Sequence, residues 1–278
     1  MKWLAKNGRS LKHAALAMAM LALVACETVQ TTQGGVVGVN RQQMMAVSSQ
    51  EINQAASQEY AQVIAEARSK GMLNRNSAEV NRVRAIANRL IQQTPVFRPD
   101  ALQWHWESNV ITSPEVNAWC MPGGKIAVYS GLIEKLHLTD DELAAVMGHE
   151  MAHALREHAR ERASEQAAAG LGISVLSAIA GIGDAGQKGM EYAYMGLLGL
   201  PNSRRHETEA DRIGVELAAR AGYDPHAAVS LWQKMGSIGG AEPIKFLSTH
   251  PSHEDRLSDL GVYSQRVMPL YEQAKKRH

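Results

Sequence analysis

Two histidines four residues apart flank a glutamate in the run His149-Glu150-Met151-Ala152-His153. On an α-helix, residues i and i+4 lie one turn apart on the same face, so both imidazoles can reach one metal ion. Glu150 falls about 100° round from His149, close enough to reach a water on that metal without ligating it itself. A tetrahedral catalytic zinc asks for a third protein ligand and one open position.

His158 is the nearest further histidine and a poor third ligand. On an unbroken helix it lies about 180° round from His149, so it is read as a core or second-face residue. The better source lies some fifty residues on, in Glu207-Thr208-Glu209-Ala210-Asp211. Glu207 and Asp211 are again four apart on a helix. One carboxylate can bind the metal while the other accepts the N–H of a ligand histidine and fixes its tautomer. Glu209 is rotated by about 200° from Glu207 and should face elsewhere.

The elements that must hold these residues can be read from periodicity and caps. Thr139-Asp140-Asp141-Glu142 is a capping box with acids in the first turn, and it opens a helix expected to run to about Arg162. Helical spacing also marks about Arg41 to Leu73, Ser77 to Gln92, Ser203 to Ala221 with Gly222 after it, and Pro225 to Gly236. Leu102 to Ile111 reads as a strand. Asn117 to Leu132 reads as a β-hairpin turning at Pro122-Gly123-Gly124, where glycines tolerate positive φ. The expected class is α+β, mainly helical, with a small sheet beside the HExxH helix. Cys120, Trp104, Trp106 and Trp119 are read as packing residues. Ala167 to Gly183 is apolar but short and broken by glycines, so a packed hairpin or lid is expected there in place of a membrane span.

The N-terminus carries an address. Lys2 to Lys12 form a positive region, Ala14 to Leu23 an apolar one, and Leu23-Val24-Ala25-Cys26 ends in a cysteine after a small residue. This is similar to the bacterial lipobox, which implies acylation of the Cys26 thiol, removal of residues 1–25, and stable anchoring by two or more chains. Glu27 follows in place of the aspartate of an inner-membrane retention signal, which favours the periplasmic face of the outer membrane. Residues 26–40 are polar and aperiodic and read as a tether. Without the four basic residues of the leader the chain holds 25 basic against 28 acidic residues, and no basic stripe suggests nucleic acid.

The HExxH helix, the later ExxxD helix, and the Asn117-Ala118…Pro122-Gly123-Gly124…Tyr129-Ser130-Gly131-Leu132 hairpin together resemble the HtpX-like zinc metallopeptidases, metallopeptidase family forty-eight, including its periplasmic lipoprotein members. The resemblance covers roughly Ser77 to Leu260. It implies a zincin-type domain over 77–265, after an N-terminal helical segment at 41–76 and before a tail at 266–278. It implies one zinc per chain bound by His149, His153 and Glu207, with Glu150 as catalytic base and Asp211 supporting a ligand. It also draws attention to His250 in Ser248-Thr249-His250-Pro251. In similar proteins a histidine before this proline lies near the metal, where it can gate the open position or steady the oxyanion. From the sequence alone His250 is one of 11 histidines, in a loop; His253 is read as a surface residue. The implied activity is endopeptidase cleavage of unfolded or misassembled envelope proteins. A non-catalytic, chaperone-like zinc lipoprotein is the alternative, and the intact Glu150 argues against it. Neither a membrane span nor a tetratricopeptide extension is expected.

Overall fold

A computed structural model describes residues 27–168, 202–238, 244–251 and 255–276. The leader, Cys26, all but the first two residues of the expected 167–183 lid, and His253 lie outside the described residues. Strand β1 (Glu27–Val29) pairs antiparallel with β2 (Gln43–Met45). Helices α1 (Ser49–Ser69) and α2 (Ser77–Ile91) follow. Next come β3 (Glu107–Ile111), β4 (Ala118–Met121), β5 (Lys125–Tyr129), α3 (Ser130–Lys135) and α4 (Asp140–Leu155). Helix α5 begins at 158 and continues to the limit of description at 168. Beyond it are α6 (Arg204–Arg220), α7 (Ala227–Ser237), α8 (Lys245–Thr249) and α9 (Arg256–Lys275). The class is α+β and mainly helical, as expected.

The sheet order is β3-β5-β4, with β3 and β5 parallel and β4 and β5 antiparallel. The hairpin forms at its expected place, because Gly123 and Gly124 supply φ values of +80° and +85° that side-chain-bearing residues resist. β4 is therefore an edge strand. One sheet face buries Trp119, Met121 and Ala127 against Tyr60 and Ile64 of α1, with Trp119 edge-on to Tyr60 at 6.0 Å. Trp104 and Trp106 stack on each other at 5.4 Å.

Helix α2 packs Val80, Val83, Ile86, Ala87 and Leu90 into the main core, the face its spacing anticipates. Each large apolar side chain so buried stabilises the fold by roughly 2 kcal/mol. Thr139 and Glu142 close the capping box on α4, and Glu142 also accepts from Ser230 Oγ at 2.8 Å and Lys234 Nζ at 2.6 Å. One residue thus satisfies the helix start and ties it to α7.

Three expectations need correction. Residues 27–40 are not a tether: Val37 and Val39 are buried, and Val37 N–H donates to Glu216 at 3.0 Å. Residues 41–48 are not helical; Met45 belongs to β2, and α1 starts after the Ser48 capping box. The expected tail at 266–278 instead continues α9 to Lys275, with Val267 and Ala274 buried.

A fourth difference bears on the site. The helix expected to reach Arg162 stops at Leu155, and Glu157 takes a φ of +52° before α5 begins. Groups remote in sequence stabilise the break. The Arg156 carbonyl accepts from Gln43 Nε2 at 2.8 Å and Thr31 Oγ1 at 3.2 Å, while Glu157 receives Arg98 at 2.6 Å and Arg160 at 2.8 Å.

Candidate metal centre

Helices α4 and α6 cross at two glycines, and this close approach brings the two motifs together. A Cβ on Gly148 would sit 2.9 Å from the Gly214 carbonyl oxygen, so no larger residue fits there unmoved. Around the crossing, His149 and His153 from α4 face Glu207 from α6. His149 Nε2 and His153 Nε2 are 3.1 Å apart, and the Glu207 oxygens lie 3.6 Å and 3.4 Å from them. His250, just after α8, joins the group, so that one donor atom from each of the four residues lies within 4.8 Å of every other. All four are buried.

Burial favours the neutral imidazole at His153 and His250, pushing both well below the ordinary histidine range and leaving a lone pair free for a metal. Burial, and then the Glu207 charge, push the Glu150 carboxyl well above its usual value. Among the described residues, neither oxygen of Glu207 accepts a hydrogen bond, nor does Glu150 Oε1. Arg256 Nη2 comes within 3.0 Å of Glu207, but without hydrogen-bond geometry. Buried carboxylate oxygens left unpaired beside imidazole nitrogens are costly in isolation, and a cation relieves the cost. Nitrogen and carboxylate donors at this mutual distance suit zinc. The donor set fits the ion.

Support lies behind the donors. Asp211 Oδ1 is 2.9 Å from His149 Nδ1, and Arg256 Nη2 donates to the same oxygen at 2.7 Å. Arg256 lies over the Trp232 ring, whose edge meets His149. His149, His153 and Glu207 stand together, with Glu150 beside them and Asp211 behind His149. His250 joins as a potential fourth donor, and its Nε2 is 3.3 Å from Glu150 Oε1.

His158 differs from the expectation that it points away. The break after Leu155 swings it back, and its Nδ1 lies 2.8 Å from His153 Nδ1. It remains a buried histidine outside the four-donor group. Glu209 does face elsewhere, toward Arg156 and His158. Cys120 is buried, its thiol raised by burial and by Glu150. It lines a cavity of about 290 Å³ together with Trp119 of β4, Glu150, His153, His250, Arg162 and Asn202. The roles of Arg256 and His158 escaped sequence reasoning, because each depends on a contact across elements and not on spacing.

Fold and donor set together define a zincin-type metallopeptidase domain. The sequence profile of peptidase family M48 matches residues 77–263, and the chain belongs to this family of zinc-dependent metallopeptidases. It is similar to the mitochondrial metalloendopeptidase OMA1 of Schizosaccharomyces pombe, 40% identical over 154 residues, which cover 55% of this chain and 44% of that one. The mitochondrial metalloendopeptidase OMA1 of Bos taurus is 34% identical over 213 residues, 72% of this chain and 40% of the relative. The beta-barrel assembly-enhancing protease of Escherichia coli is 30% identical over 176 residues, 60% and 36% respectively. The matches span less than half the length of each of these relatives.

Proposed function

We propose that the chain is a zinc-dependent endopeptidase that cleaves unfolded or misassembled proteins of the bacterial envelope, held to the outer membrane by lipid on Cys26. The observation that carries the catalytic part is the buried four-donor group with Glu150 against it, beside a cavity lined by Glu150, His153, His250 and β4, an edge strand among the described residues.

His149, His153 and Glu207 would hold the ion. Bound zinc would supply the Lewis acidity that polarises a peptide carbonyl and acidifies water. Glu150, buried and with Oε1 unpaired, would take the proton of the attacking water and deliver it to the leaving amine. β4 would take the substrate as an added strand, with main-chain hydrogen bonds giving affinity and little side-chain selection. That mode suits extended, unfolded polypeptide. His250 stands at the fourth donor position, and we read it as a gate that must yield before water and substrate enter. Among the described residues no helix is long and apolar enough to cross a membrane.

Glu150→Gln separates this reading from a non-catalytic zinc chaperone. The variant should keep zinc and fold while losing about 10²-fold or more in casein cleavage, the scale of a positioned base. Cleavage within a few-fold of wild type in the zinc-loaded, folded variant would remove Glu150 as the base.

A further inference from the structure

We infer that His158 is a positioning residue for the metal: it fixes the tautomer of the ligand His153 and links that ligand, through Glu209, to the N-terminal segment. This rests on the proposal that His153 binds zinc. If His153 Nε2 gives its lone pair to the ion, the ring proton must sit on Nδ1. That atom faces His158 Nδ1 at 2.8 Å, which must then be the acceptor. The His158 proton is thereby assigned to Nε2, which donates to Glu209 Oε2 at 3.1 Å. Every proton in the chain has one consistent place. The arrangement parallels that of His149, whose Nδ1 meets Asp211 directly, except that an imidazole is interposed before the carboxylate.

The carboxylate is itself fixed. Arg156 donates to Glu209 Oε2 through Nη2 at 2.9 Å and Nε at 3.1 Å, and Arg41 Nε donates to Oε1 at 2.6 Å. Arg41 also pairs with Glu161 at 2.6 Å, and Gln43 Nε2 donates to the same carboxylate at 2.6 Å. Residues 41 and 43, which enter this core with β2, thereby set the back of the metal site. His158, Glu161 and His206 lie close enough to suggest a second cation site. Two features argue against one: Arg41 and Arg156 already match the charges of Glu161 and Glu209, and both ring nitrogens of His158 are engaged.

The test contrasts two polar replacements. In His158→Asn the amide oxygen falls near the place of Nδ1 and can still accept from His153. In His158→Gln the amide nitrogen falls near Nε2, keeping Glu209 and losing His153. Zinc affinity is measured by chelator competition and the cobalt-substituted protein by its visible spectrum, with apo-protein thermal unfolding as the check on folding. His158→Asn should stay within about threefold of wild-type affinity. His158→Gln should lose about tenfold or more and shift the cobalt bands, the scale of losing a ligand's outer partner. Equal affinity and unchanged spectra in both variants would overturn the inference. If instead wild type bound no zinc at the His149 and His153 site, the proposed metal centre itself would fail.

Discussion

Gly148 and Gly214 pack backbone to backbone where α4 crosses α6: a Cβ on Gly214 would lie 2.7 Å from the His149 backbone nitrogen and 2.9 Å from the Gly148 carbonyl carbon. The atoms in the way are main chain and cannot rotate aside. Gly214→Ala should therefore part the helices that carry the two halves of the donor set. We expect a loss of about 1–3 kcal/mol in stability, the usual scale of overpacking, together with weaker zinc binding. Chemical unfolding and zinc titration check it; wild-type values in both would mean that the crossing has slack.

Asp211→Ala should leave the fold while lowering zinc affinity by about 10- to 100-fold, because His149 loses the acceptor that orients it. Arg256 would keep its approach to Glu207 and its place over the Trp232 ring. Chelator competition measures the loss, and unchanged affinity would remove Asp211 from the support of the site.

His250→Ala should retain zinc on His149, His153 and Glu207 while raising basal hydrolysis of casein several-fold, since the fourth donor position is then free for water. Lower hydrolysis at full zinc occupancy would instead mark His250 as an oxyanion donor.

Burial alone would raise the Glu161 pKa, but the His206 ring at 3.2 Å and hydrogen bonds from Arg41 and Gln43 outweigh it and hold the carboxyl far below the usual range. Arg205 lies beside it at 3.9 Å. With the folded pKa below the unfolded one, the stabilisation is present above about pH 4.5 and is lost as pH falls toward the folded value. Glu161→Gln should cost about 2 kcal/mol near neutrality, between the exposed and buried pair ranges because Arg41 is partly hydrated. The gap from wild type should narrow steadily below pH 4. A gap constant with pH would deny the ion pair that role.

Cys26→Ser should abolish fatty-acid labelling and lipoprotein processing. Equal palmitate incorporation in variant and wild type would sink the anchor.

The features read most directly from sequence were those whose partners lie one helical turn away. The i, i+4 pairs His149/His153 and Glu207/Asp211 and the capping pair Thr139/Glu142 are visible in spacing, as is the Gly123-Gly124 turn, whereas Glu207 as the ligand was implied by the family resemblance. What escaped depends on distant chain. The break at Glu157 is held by Thr31, Gln43 and Arg98, so no local pattern marks it, and an unbroken helix wrongly turns His158 away. Val37 and Val39 are too sparse to signal a packed segment, yet both are buried. Pro269, which cannot donate to the preceding turn, lies inside α9, and the helix runs past it to Lys275.

The early start of β1 has a spatial consequence. Among the described residues, which start at Glu27, the β1–β2 pairing runs from the first of them. An acyl group on Cys26 would leave the domain no leash: the catalytic body would ride flush against the headgroups, with its orientation set by the first strand and its working radius close to its own dimensions. On the anchor proposed above, a substrate would have to come to the membrane surface to be cut.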